Sequence, residues 1–385
     1  MNEARQTIRV LVADDSSATR SLLRMLFAPA TMLGASMFAR RPLPRIELCG
    51  VAADGIECIE AVHALKPDIL ILDLEMPRMD GLAVLDRLRK EESKLPVIVC
   101  SSMTERGAAI TLDSLARGAM DYVTKPSVQG DVEAALINLG RQLLPRIMAI
   151  SEARQQIARA PASQPALTVP ISAATPVLYR RRSEEPPYVV VIGISTGGPA
   201  ALEQVLSALP ADFPLPILIA QHMPRLFSAV LAERLDRHSA LHVKHAVHGE
   251  KIAPGTVYVC PGDWHMEVAC GADSATVISL HQHEQVNHCR PAADLLFRSA
   301  ARYYGPHTLG LLMTGMGSDG LAGSQEIVAA GGAVLVQDAA TSIVWGMPGK
   351  VAHAGIASAI LPLNSIAGEL MTRAASPAVS ARECA

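Results

Sequence analysis

Short runs of β-branched and aliphatic residues recur along this chain, each stopping at turn residues and giving way to a helical pattern. In the first 145 residues they are Ile8–Val12, Ile46–Val51, Ile69–Leu72, Val97–Cys100 and Tyr122–Thr124, with helical patterns at Gly55–Leu65 and Leu82–Arg89 between them. A strand–helix rhythm of this kind builds a parallel sheet covered by helices on both faces. A last helical pattern, Asp131–Leu144, closes the unit, and Pro145 is expected to end or kink it. The rhythm then breaks. "ARAPASQPALTVPISAATP" is rich in Ala, Pro, Ser and Thr without periodicity and reads as a flexible linker, followed by the charged "YRRRSEEPP".

From Tyr188 the rhythm resumes, with buried-strand patterns at Tyr188–Gly193, Pro216–Ala220, Thr308–Met313 and Ala333–Val336. Shorter segments between Val243 and Leu280, broken by "APGT" and "PGDW", read as hairpins attached to the sheet. At 385 residues two domains are the natural division. The expected layout is a first domain over 1–150, a linker over 151–187, a second α/β domain over 188–375 and a polar tail over 376–385.

Half of the residues are apolar, but only 3% are aromatic, so the cores must be aliphatic. A net charge of −3 supplies no basic field for nucleic acid, and no helix-turn-helix follows the linker. The seven cysteines fall without metal-ligand spacing, and an odd count without a signal segment points to a reducing cytoplasm. No apolar stretch reaches the roughly 18 to 20 residues that span a bilayer, so membrane insertion is not expected.

Three carboxylates fall at strand ends of the first domain: Asp14 and Asp15 in "VLVADDSS", and Asp73 in "ILILDLEMPRMDG". Ligands of open parallel sheets collect at such ends. One acid there is ordinarily a helix cap; three together repel one another unless a hard cation such as Mg²⁺ joins them. Ser101 in "PVIVCSS" and Lys125 in "DYVTKPS" end later strands. With these residues the stretch from Ile8 to Leu144 resembles the response-regulator receiver domain, of flavodoxin-like (βα)5 fold. The resemblance implies that Asp73 accepts a phosphoryl group from a histidine kinase, and that Asp14, Asp15, Asp73 and the backbone carbonyl of Glu75 hold Mg²⁺. It makes Lys125 the cation beside the phosphoryl group, with Ser101 and Tyr122 moving inward as the switch. It also implies a cis peptide at Lys125-Pro126. One departure is "FAPATMLGASMFARRPLPR", roughly a dozen residues longer than the short connection usual at such a place.

In the second domain "VVVIGISTGGPAAL" poses three alternatives for Ser195. A dinucleotide loop is disfavoured, because "GISTGG" lacks the G-x-G-x-x-G order and Asp212 lies in the loop "PADFP". A helix cap followed by Pro199 is the second. The third is a nucleophile, since Gly193-Ile194-Ser195-Thr196-Gly197 fits a G-x-S-x-G elbow. A hydroxyl needs a base, and the base an orienting carboxylate. Either His222 and Asp319 supply them from neighbouring strand ends, or Asp319 pairs with the later His353, which sits in a helical apolar pattern.

"GISTGGP", "AQHMP", "APGTVYVCPGDWH", "RPAADLLFRSAA", "LLMTGMGSDGLAG" and "VQDAATSIVWGMP" together resemble the CheB family of chemotaxis protein-glutamate methylesterases over Tyr188 to Leu370. The resemblance implies a doubly wound parallel-sheet catalytic domain of α/β-hydrolase type, with Ser195 as nucleophile, His222 as base and Asp319 as its orienter. Thr196 and Met316 fall where that family shapes its active site and oxyanion hole. It further implies methylated glutamates, and some glutamines, of chemoreceptors as substrates, and no cofactor for the hydrolysis. The receiver, on a loose linker, would control access to the catalytic rim. Two rivals remain at this stage: an interaction protein with a vestigial rim, and a receiver-controlled esterase for small molecules.

Overall fold

The computed structural model describes residues 7–28, 45–125, 131–159, 185–272 and 275–375. Two compact units divide the chain at Arg159/Ala160.

In the first unit β1 (Ile8–Ala13), β2 (Ile46–Ala52), β3 (Ile69–Asp73), β4 (Val97–Ser101) and β5 (Asp121–Thr124) form one parallel sheet in the order β2-β1-β3-β4-β5. Helices α1 (Ser17–Leu26), α2 (Gly55–Leu65), α3 (Gly81–Lys90) and α4 (Glu105–Ala116) each start at a side-chain cap: Ser16, Asp54, Asp80 and Thr104 accept from the first free amides. Such a cap is worth about 1 kcal/mol. The central strands β3 and β4 are buried at every position, whereas β2, at the sheet edge, is mostly half-buried. Strand order reverses beside β1, which opens a crevice over the ends of β1 and β3.

The last helix, α5 (Val132–Arg159), does not end at Pro145 but continues past it into the stretch read as linker. Pro145 removes one donor, but the apolar stripe does not stop there. Leu139, Leu143, Ile147 and Ile150 are buried at i, i+4, i+8 and i+11, and Arg154 donates to the Asp68 carbonyl at 3.0 Å. Each buried aliphatic side chain contributes about 1.5–3 kcal/mol, enough together to outweigh a proline's cost of about 3 kcal/mol. Most of the long connection before β2 (residues 29–44), the Lys125-Pro126 bond, most of the linker (160–184) and the C-terminal tail (376–385) lie outside the described residues.

The second unit holds a seven-stranded parallel sheet. Its strands are β6 (Val189–Ile194), β7 (Ile217–Gln221), β8 (His242–His245), β9 (Thr256–Val259), β12 (Thr308–Leu312), β13 (Ala333–Gln337) and β14 (Ala359–Leu361), in the order β14-β13-β12-β6-β7-β9-β8. β10 (His265–Cys270) and β11 (Thr276–His281) pair antiparallel as a separate hairpin. Of the turn-rich region read as hairpins, only this pair is one among the described residues; β8 and β9 are parallel neighbours that widen the main sheet. Helix α7 (Arg225–His238) connects β7 to β8, and the 246–255 loop carries the chain back between β8 and β9. The remaining helices are α6 (Gly198–Ser207), α8 (Ala293–Tyr304), α9 (Leu321–Ala329), α10 (Met347–His353) and α11 (Leu363–Ala374).

Glycines let helix α8 pack closely against the sheet and α9. A Cβ on Gly193 of β6 would stand 2.7 Å from Ala293 Cβ, and one on Gly323 of α9 would stand 2.5 Å from Phe297 Cβ. The close approach brings the first amides of α8 to the ends of β6 and β12. It thereby sets the depth of the site described next.

Candidate active site

The order of the second sheet turns at β6, flanked by β7 and β12, so this is where a crevice opens. The chain leaves β6 at Ser195, leaves β7 at His222, and leaves β12 into the loop that carries Asp319. The Ser195 turn is held from three sides: its N–H donates to Thr314 O at 3.0 Å, and its carbonyl accepts from Gly198 N at 2.8 Å and Gln221 Nε2 at 3.0 Å. Gly197 at φ +76° completes the turn, where a Cβ would also strike Ile343 at 2.5 Å. Gly315 lies against Ser195 so closely that its own Cβ would be 2.9 Å from Ser195 Cβ. The cap position of α6 is Gly197, and no side chain caps that helix, so Ser195 is not a helix cap.

His222 and Asp319 meet directly. His222 Nε2 lies 2.8 Å from Asp319 Oδ2. The carboxylate also accepts from Ala293 N (2.6 Å), Asp294 N (3.1 Å) and Asn287 Nδ2 (3.0 Å). The N-terminus of α8 therefore points two amides and its dipole at this anion. Burial works against the charge, but the His222 contact and these amides outweigh it and hold Asp319 below the usual carboxylate range. Burial likewise opposes a charged His222, whose side chain is 13% exposed. Asp319, with Cys289 on the other side of the ring, overcomes it and pushes the imidazole up to about 10.

With Nε2 engaged by Asp319, the basic nitrogen left is Nδ1, and Cys289 Sγ lies 3.6 Å from it. The Ser195 hydroxyl makes no hydrogen bond to His222 among the described residues; the two are neighbours by strand register, with Ile194 paired to Gln221. His353, the alternative base, is exposed at the end of α10 with its ring edge-on to Trp345 at 5.3 Å. Thr196 is buried, its carbonyl accepting from Thr314 Oγ1 at 2.9 Å, and Met316 is half-buried between Gly315 and Gly317.

Asn287, Cys289 and the α8 amides are parts of this site that sequence reasoning missed. The only available signal was the polar "VNHC" directly before "RPAADLLF".

In the first unit the crevice at β1 and β3 gathers Asp14, Asp15 and Asp73, with carboxylate oxygens within 4.8 Å of one another. Asp14 and Asp73 are 1% and 2% exposed, and Asp15 is exposed. Lys125 Nζ donates to Asp73 Oδ2 at 2.5 Å and stands 3.3 Å from Asp14 Oδ2, an oxygen that is buried without a hydrogen bond. Glu75 donates its N–H to Asp73 Oδ1 at 3.2 Å. Burial and then the Asp14 charge push Asp73 up to about 6, and burial raises Asp14 as well. All-oxygen donors with one orphaned buried carboxylate oxygen fit a hard divalent cation.

Ser101 Oγ lies 2.6 Å from Thr111 Oγ1 and 3.1 Å from the Gly107 carbonyl, deep in the unit. Tyr122 is 7% exposed. Both are buried in this structure, where β4 and β5 lie under α4 and α5.

The CheB methylesterase family matches residues 190–370, and the response regulator receiver domain matches residues 10–137. A protein-glutamate methylesterase/protein-glutamine glutaminase of a Nocardioides species is 43% identical, over 96% of both chains. A protein-glutamate methylesterase/protein-glutamine glutaminase 2 of Caulobacter vibrioides is 40% identical, over 96% of this chain and 100% of its own. The Thermotoga maritima CheB methylesterase catalytic domain, a crystal structure, is 40% identical and covers 48% of this chain and 98% of its own, with a TM-score of 0.47.

Proposed function

This chain belongs to the CheB methylesterase family, and we propose from that premise that it hydrolyses glutamate methyl esters, and deamidates glutamines, on chemoreceptors. The observation that carries the reading is the 2.8 Å His222–Asp319 pair on the strand rim beside the Ser195 elbow.

Ser195 Oγ attacks the side-chain carbonyl as His222 Nδ1 takes its proton, and the oxyanion forms against the elbow. Asp319 fixes the ring through Nε2 and stabilises the imidazolium. His222 then protonates departing methanol or ammonia. Water, deprotonated by the same nitrogen, cleaves the acyl-enzyme to glutamate and restores Ser195. A free glutamate carboxylate resists attack, so the reaction ends there. Thr196 and Met316 line the approach to Ser195.

In the receiver, Asp73 is the phosphoryl acceptor from a histidine kinase, and phosphorylation raises the esterase rate. Asp14, Asp15 and Asp73, with the Glu75 carbonyl, would hold Mg²⁺, which when bound neutralises phosphoryl charge. Lys125, already against Asp73 and Asp14, adds a second cation. Ser101, released from Thr111, turns its hydroxyl to the new phosphoryl oxygens beneath Tyr122.

The test is methanol release from methylated chemoreceptor membranes, set beside turnover of a small aliphatic methyl ester. Fast release from receptor and slow turnover of the small ester support the reading. The reverse ratio would make this a small-molecule esterase, and no release at all would make the rim vestigial.

A further inference from the structure

Cys289 is placed by a built turn. Val286 and Cys289 exchange backbone hydrogen bonds at 3.2 and 2.9 Å, and Asn287 and His288 between them take φ +54° and +62°. This is the two-residue reversal that favours residues tolerant of the left-handed region, among them Asn and His. Asn287 then locks the turn to the rim, its Nδ2 donating to Asp319 Oδ1 at 3.0 Å and to Asp294 Oδ2 at 2.8 Å. The sulfur is left facing His222 Nδ1 at 3.6 Å, with the Asn287 carbonyl at 3.4 Å.

A tetrahedral Zn²⁺ with Zn–S of about 2.3 Å and Zn–N of about 2.0–2.1 Å separates those two ligand atoms by about 3.6 Å. The pair thus already stands at the span of a shared metal edge. Asp319 accepts from four donors, including the far nitrogen of the same imidazole. That is the carboxylate–histidine backing that fixes ring and tautomer in metal sites. A thiolate with an imidazole selects Zn²⁺ over Mg²⁺, so such a site is chemically separate from the receiver's oxygen cluster.

We propose that Cys289 and His222 form an inhibitory Zn²⁺ site, with Asp319 behind the histidine and solvent completing the coordination. The Cys289 thiol and the imidazolium Nδ1–H both give their protons to solvent as the Zn–S and Zn–N bonds form, and the metal takes the Nδ1 lone pair. That is the lone pair Ser195 needs. The inhibition, though not the site, rests on the esterase reading above.

The test uses the full chain in excess Mg²⁺, titrated with Co²⁺ as a spectroscopic stand-in. Wild type should show a thiolate-to-cobalt charge-transfer band that Zn²⁺ abolishes stoichiometrically, and Cys289→Ser should lack it while keeping the other cysteines. Zn²⁺ should inhibit methanol release, measured against each protein's own metal-free rate, with the half-inhibiting concentration at least about tenfold higher in Cys289→Ser. Melting curves of the two proteins establish that the variant is folded. No band in wild type, or an undiminished band in Cys289→Ser, would overturn the site. A band lost in Cys289→Ser, with no methanol release from metal-free wild type, would uphold the site and sink the esterase reading instead.

Discussion

The two rims are built alike and charged in opposite ways. Each lies over strand ends where a parallel sheet reverses its order, and each carries a buried aspartate. In the catalytic unit Asp319 is satisfied by four donors, two from the start of α8, and is held below its ordinary range. In the receiver Asp14 and Asp73 face one another with Lys125 as the neighbouring cation, one oxygen is orphaned, and Asp73 is pushed up to about 6. On the first rim the charge of the aspartate is satisfied within the chain. The second is left short of positive charge, and that shortfall is what a cation and a phosphoryl group can act on.

The sharpest way to break this comparison is at the nucleophile. Ser195→Ala should lower methanol release by about six orders of magnitude, as removal of the serine of a triad does elsewhere. A folded variant with near-normal turnover would reduce the elbow to a tight turn. Asp319→Asn should cost about four orders, because it unsettles the tautomer but leaves the elbow intact.

Stability against pH sharpens it next. Asp319, with a lowered folded pKa, contributes stability above its unfolded value that is lost as pH falls through the folded one. Asp73, raised to about 6, has the opposite sign: metal-free receiver stability falls as pH rises from about 4 to about 6. Asp73→Asn should therefore stabilise the receiver at pH 7 in chelator by on the order of 1–3 kcal/mol. It should also abolish activation by a phosphodonor. Calorimetry with and without Mg²⁺ reads the stability effect, and a lower melting temperature in the variant would contradict it.

A smaller effect concerns the base. His222 must shed its proton to accept one from Ser195, so kcat/KM should climb with pH towards about 10. Cys289→Ser removes one support of the charged ring, and the acid limb should move to lower pH. An unmoved limb would leave Asp319 alone in control of the imidazole. His353→Ala, at an exposed position edge-on to the Trp345 ring, should change turnover least of all.

Most strands were legible because a strand buried on both faces must be a continuous aliphatic run; Ile69–Asp73 and Val189–Ile194 fall within a residue of where their patterns put them. The carboxylate positions were legible because strand ends of a parallel sheet converge, whereas the choice of His222 over His353 came from the family resemblance. What the sequence hid was tertiary in origin. Pro145 carries a helix-breaking signal that the buried stripe of α5 overrides. β8 and β9 look like a hairpin locally, since "APGT" marks a turn without telling whether the strand after it pairs parallel or antiparallel. Asn287, Cys289 and the amides of Ala293 and Asp294 carry no spacing motif; Asn287 and the two amides bond Asp319 and Cys289 faces His222, beside a helix α8 that glycines let close on β6 and α9.

The most direct measurement asks which atom on the catalytic rim becomes covalently bonded. A fluorophosphonate would be attacked by the nucleophile that His222 activates, forming an O–P bond with loss of fluoride, and peptide mass spectrometry would locate the adduct. The account predicts one adduct, on Ser195, absent in Ser195→Ala and slowed strongly in His222→Ala. An adduct on Cys289 in an enzyme that still releases methanol would contradict it, because the thiol already facing Nδ1 would then be the nucleophile.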